Sequence, residues 1–183
     1  MKITTLQAAV AAALLAGAAG LAAAEGMPKA DYKAGKEQIE ATRKAALDSC
    51  KTLAGNTKDV CQEQAKADAS IAKAELEAKY KGTREAAYDA RVARAKANYS
   101  VAKEKCDDFA GNQKDVCVKE AKAAETRALA DAKADKKVVQ ARVDARDSKV
   151  DAEYKVAVER CDAYAGDVKD RCVTDAKQRF GKS

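Results

Sequence analysis

One twelve-residue pattern occurs three times in this chain. Residues 50–61 read CKTLAGNTKDVC, residues 106–117 read CDDFAGNQKDVC, and residues 161–172 read CDAYAGDVKDRC. The shared form, C-x-x-[L/F/Y]-A-G-[N/D]-x-K-D-x-C, begins at positions 50, 106 and 161, so its copies stand 56 and 55 residues apart. A period of that size means one supersecondary unit per copy, repeated along the chain.

The unit reads as helix, tight turn, helix. Gly55, Gly111 and Gly166 stand where a helix is expected to end in the left-handed conformation that glycine enters without a Cβ clash. Asn56, Asn112 and Asp167 follow as expected N-caps of the next helix. Asp59, Asp115 and Asp170 then fall in its first turn, where a carboxylate favours the helix dipole and reaches back toward the cap. The two cysteines of each copy flank this turn almost symmetrically and so lie at similar height on two antiparallel helices. The expected disulfides are therefore Cys50–Cys61, Cys106–Cys117 and Cys161–Cys172. Of the fifteen pairings six cysteines allow, this one treats the three copies alike. A metal or redox reading fits poorly, because the chain has no histidine and no C-x-x-C pair.

Disulfides imply an oxidising compartment, and the first residues supply a route to one. Lys2, an uncharged Ala/Leu-rich stretch from Leu6 to Leu21, and the small residues Ala22 to Ala24 have the order of a secretory signal peptide, with cleavage expected after Ala24 and an uncleaved N-terminal membrane anchor as the alternative. Residues 25–30 then form a flexible mature N-terminus, 31–82 the first hairpin repeat, 83–137 the second, and 138–181 a third with a shortened second helix. The expected destination is the periplasm.

Composition limits how these helices pack. After residue 24 the chain has only four Leu, two Ile, thirteen Val and two Phe, too few for a thick core. The filler is Ala, the best helix former, with acidic and basic residues interspersed. Such a chain suits long, thin helices that approach closely in pairs. A seam runs in steps of seven through Tyr32, Ile39, Ala46 and Leu53, and in alternating steps of four and three through Tyr88, Val92, Ala95, Tyr99, Ala102, Cys106 and Phe109. The third copy follows with Val143, Val150, Ala157 and Tyr164. Solvent faces carry acid-to-lysine pairs four apart, at Glu40/Lys44, Glu75/Lys79, Glu77/Lys81 and Asp151/Lys155.

The expected fold class is all-α: long antiparallel helices making three disulfide-stapled αα-hairpins, coiled-coil-like, elongated or loosely bundled. Helices are expected over 31–54, 57–109 with a weak point at Gly82 and Thr83, 113–164, and 168–179. An extended zigzag is favoured over a bundle folded back near Gly82 and near Ala134, because the outer faces look polar.

Function is narrowed mainly by exclusion. Without histidine, a free cysteine, a phosphate loop, a nucleophile elbow or an acidic metal cluster, the chain is not expected to be an enzyme or to carry a metal or cofactor. Mixed charge and scarce aromatics argue against nucleic acid. The runs AKADASIAKAELEAKYK (65–81) and AKAAETRALADAKADKK (121–137) resemble the Ala/Lys/Glu-rich periplasmic helix of TolA-type envelope proteins. The Cys-hairpin repeats also resemble a group of small exported proteins of β-proteobacteria. The first resemblance implies a structural or adapter role in the cell envelope, with envelope proteins as partners, at most peripheral membrane contact, and self-association through helix seams as an option. A clear membrane anchor and a globular C-terminal domain, both TolA features, are not evident. The alternative is a periplasmic stress-type binding module, or holdase, for proteins or anionic envelope surfaces.

Overall fold

The computed structural model describes residues 27–182. Five α-helices follow in order: α1 Lys29–Cys50, α2 Gly55–Lys81, α3 Arg84–Lys105, α4 Gly111–Cys161 and α5 Gly166–Phe180, with a 3₁₀ turn at Cys106–Asp108. The fold is all-α, and no strand occurs among the described residues. The expected signal peptide and its cleavage point after Ala24 lie outside them.

Three hairpins, α1–α2, α3–α4 and α4–α5, are closed at their tips by Cys50–Cys61, Cys106–Cys117 and Cys161–Cys172, each with Cα atoms 5.7 Å apart. The pairing expected from the repeat is the pairing observed. In each bridge the first cysteine is fully or almost fully buried. Away from the tips the hairpins are closed by aromatic residues. Tyr32 stacks on Tyr80 with centroids 4.3 Å apart, and Tyr154 meets Phe180 edge-on at 6.2 Å. In the middle hairpin Lys136 Nζ lies 4.6 Å from the Tyr88 ring centroid.

The core is thin, as the composition requires. Among the described residues its buried apolar members are ten alanines, three cysteines and Val101. Ala67, Ala97 and Val101, with Ile71 against them, form the contact between α2 and α3. Small side chains let helix axes come close, but each methyl removes little apolar surface from water. The closeness leaves no room at Gly35, where a Cβ would lie 2.9 Å from the side chain of Leu76.

Two expectations about the helices are corrected. The first helix ends at Cys50, four residues earlier than the seam suggested. The backbone then tightens into i→i−3 hydrogen bonds, from Lys51 N to Asp48 O and from Leu53 N to Cys50 O. Second, the long helix expected over 57–109 is two helices folded against each other. Gly82 adopts φ 61°, and Thr83 caps α3 by accepting a hydrogen bond from the Ala86 N–H at 3.2 Å. Left-handed Gly followed by a Thr cap stops one helix and starts another. The same register position before Cys161, 24 and 23 residues upstream, holds Lys137 and Val138, which neither break nor cap. There α4 continues for 51 residues, about 76 Å at 1.5 Å per residue. The chain thus folds back near Gly82 and stays extended near Ala134, a mixture of the two shapes weighed above.

This topology places the tips. α1 and α3 both run toward one end of the array, so the first and second tips share that end. α4 carries the third tip to the far end. Arg84 at the start of α3 lies across from Val139, and Lys182 beyond α5 pairs with Asp151. Residues 140–150 of α4 therefore face no other helix, and all but Val143 and Val150 are exposed. A lone helical stretch opens locally at low cost. Limited trypsin digestion should cut first at Arg142 or Arg146; a first cut within α2 or α3 would contradict this.

Candidate interaction sites at the hairpin tips

Each tip is built the same way. The helix ends at the first cysteine, a short tightened turn follows, and an extended alanine leads into a left-handed glycine that opens the next helix. Ala54, Ala110 and Ala165 have φ between −129° and −134°, and Gly55, Gly111 and Gly166 have φ 56°, 55° and 58°. The left-handed glycines are where the sequence placed them, but they begin the second helix and do not end the first. Asn56, Asn112 and Asp167 accordingly lie one residue inside that helix. The cap positions are the alanines, and no side-chain cap bond is made. The Asn56 Nδ2 atom is buried without a hydrogen-bond partner. Asp59, Asp115 and Asp170 are exposed and lie just past the first turn, not in it as expected, because each helix begins at the glycine.

The residue three places after the first cysteine was expected on the packing seam. It is instead displayed: Leu53 is 38 %, Phe109 48 % and Tyr164 53 % exposed. Seam arithmetic fails there because the chain has already left the helix, so the three-residue step no longer returns to the same face. Val116 stands exposed in the second tip and Val168 in the third. The bulky residue common to all three copies therefore contributes little to the core.

The repeated lysine has a role that the sequence reading missed. Lys114 Nζ lies 2.8 Å from Asp107 Oδ1, and Lys169 Nζ lies 2.8 Å from Asp162 Oδ1. These ion pairs bridge the turn, and in both the aspartate raises the lysine pKa. The first tip differs. Its residue after Cys50 is Lys51, which pairs back along its own helix with Asp48 at 2.7 Å, and Lys58 faces no aspartate across the turn. The signal was visible as K, D, D in the position after the first cysteine.

Along the helices, only Glu77–Lys81 of the four expected pairs forms, at 3.0 Å. Glu40 pairs with Lys73, Glu75 with Arg94, and Asp151 with Lys182. Each of these bonds ties one helix, or the residues just past it, to its neighbour. Close Ala-lined packing brings the neighbouring helix within reach of the acid. Lys73 holds the Glu40 pKa below its ordinary value, the Tyr32 hydroxyl does so for Glu77, and Lys182 for Asp151. A carboxylate with a depressed folded pKa stabilises above its unfolded value, and that contribution is lost as pH falls through the folded one. The melting temperature should stay level from pH 7 to about 5 and fall below about 4; a fall between pH 7 and 5 would contradict the assignment. Tyr32, whose hydroxyl donates to Glu77, is shifted upward, so its contribution fades only at strongly alkaline pH.

Concave features are open grooves on the helix array. One of about 540 Å³ is lined by residues of α2, α3 and α4. Its guanidinium groups are already engaged, Arg91 with Asp135 and Arg94 with Glu75. One carboxylate is buried, Glu125, with Lys122 Nζ 2.7 Å away; that lysine also lies 5.0 Å from the Tyr99 ring centroid. No group of three or more metal-ligating side chains occurs among the described residues. No described helix is long and apolar enough to cross a membrane. No protein-family model matches the chain, and no curated protein or solved structure resembles it at a significant level.

Proposed function

We propose that the chain is a non-catalytic adapter of the bacterial cell envelope, acting in the periplasm as a helical spacer between protein partners. The observation that carries this reading is α4. Its 51 residues hold the third tip about 76 Å from the second, and each tip presents an exposed apolar residue on a disulfide-braced turn. Rigid display lowers the ordering cost of contact, which suits a spacer better than a flexible tether. Three disulfides accord with an oxidising, extracytoplasmic compartment, and the Ala/Lys/Glu composition accords with TolA-type envelope helices.

The test is photo-crosslinking in the producing cell, with a benzophenone amino acid at Leu53, Phe109 or Tyr164 and, as a control, at Val139. Defined envelope proteins should be captured from the tips, with different sets at the two ends, and not from Val139. Equal capture from all four positions, or none from any tip, would refute the adapter reading. The exposed Phe109/Val116 and Tyr164/Val168 pairs also keep a holdase reading in view. Suppression of aggregation of a model client, lost on Phe109→Ser/Tyr164→Ser, would favour that reading.

A further inference from the structure

We infer that the joint at Gly82 and Thr83 is a reversible hinge, at which the α1–α2 hairpin swings away from the α3–α4 hairpin and α2 and α3 become one continuous helix. The molecule contains both states of such a joint. Between the first and second repeats the chain folds back at Gly82 and Thr83. Between the second and third, at the equivalent positions Lys137 and Val138, α4 runs straight through.

Three features make the folded joint the movable one. Among the described residues the chain reverses direction at four places, and three of these carry a disulfide; of the four, the reversal at Gly82 has no covalent lock. The interface it closes is made of small residues, Ala67, Ala97 and Val101 with Ile71. Its cross-helix ion pair, Arg94 with Glu75, is solvent-exposed, where screening leaves such pairs weak. Three hydrogen bonds lie at the joint. Gly82 N to Ala78 O at 2.9 Å and Ala87 N to Thr83 O at 3.0 Å are i→i−4 bonds that a continuous helix keeps, and only the cap bond from Ala86 N to Thr83 Oγ1 at 3.2 Å is exchanged for a backbone bond.

The bodies on either side are braced at both ends. The α1–α2 hairpin has Cys50–Cys61 at its tip and the Tyr32–Tyr80 stack at its base. The α3–α4 hairpin has Cys106–Cys117 at its tip and Lys136 over Tyr88 at its base. Opening therefore separates two intact hairpins without unfolding either. It moves the first tip from beside the second to about 76 Å away, the length of a continuous 55–105 helix. All three tips would then be spaced alike. This motion stands independently of the envelope role and changes the reach of the molecule whatever it contacts.

The test is a distance measurement by electron–electron resonance on the full chain with its disulfides intact, using non-cysteine spin labels at Thr52 and Asp108. Wild type should show a main distance of about 10–30 Å, one to three helix diameters, and a second population near 75 Å. Two variants should enlarge the long population at least threefold with far-UV helicity retained. Gly82→Ala/Thr83→Ala removes the turn glycine and the cap, and Val101→Ala trims the closed interface without touching the joint. A single short distance in wild type and in Val101→Ala would overturn the hinge, whatever the joint variant does.

Discussion

Replacing Cys161 and Cys172 by serine should release α5 from α4 while the first two hairpins remain folded. α5 has 15 residues, about the length below which an isolated helix is marginal in water. Apart from its bridge it is held by Ala176, its one buried residue, by the Phe180–Tyr154 contact, and by two solvent-screened pairs, Lys169–Asp162 at the turn and Lys182–Asp151 just past its end. A bridge closing so short a loop contributes about 3 kcal/mol in the chain-entropy model, more than those contacts together are expected to offset. Hydrogen exchange should show loss of protection across 166–180, with α2 and α3 unchanged. The matching pair Cys50→Ser/Cys61→Ser should have a smaller effect, because α1, the helix it would release, has 22 residues and is also held by the Tyr32–Tyr80 stack and by the Glu40–Lys73 pair. Equal losses in the two variants, or retained protection in α5, would mean that packing and not the bridge holds the third hairpin.

A single charge in the α2–α3 seam should have the other large effect. Ala67 is 4 % exposed and lies against Ala97 and Val101. Ala67→Glu puts a carboxylate there with no partner, at a cost of roughly 3 kcal/mol or more if the seam stays closed. The cheaper outcome is for the seam to open and wet the charge. Helix content by circular dichroism should therefore be kept, because each hairpin keeps its staple, while the radius of gyration increases. An unchanged radius with unchanged helicity would show that the seam tolerates a charge and is not the packed contact described here.

The parts of this fold that were legible in the sequence are those set by local chemistry repeated three times. Cysteine spacing about a glycine is enough to pair Cys50 with Cys61 and its counterparts, since a left-handed turn residue flanked by helices leaves few other geometries. Periodicity was less informative past the helix ends. Leu53, Phe109 and Tyr164 continue the seam on paper but not in space, because helix geometry stops at the cysteine before them. Long-range choices were the least legible. Gly82 marked a weak point, but whether the chain bends there depends on how well α2 and α3 pack, which alternating Ala and charge leave nearly balanced. The cross-helix partners of Glu40, Glu75 and Asp151 were hidden for the same reason: a lysine four residues away is visible in sequence, and one on the adjoining helix is not. For the tips, the clue was a bulky apolar residue kept in every copy without any seam left for it to fill.

A spacer role requires α4 to hold the second and third tips apart as a rigid strut, although its residues 140–150 face no other helix. The most direct test is the spin-label distance between Gln113 and Val168 in the disulfide-intact chain. A rigid strut gives a single narrow distribution near 75 Å, unchanged between low and moderate salt. A broad distribution, or a main distance below about 50 Å, would mean that α4 bends or breaks in its uncovered stretch, and the strut would be contradicted.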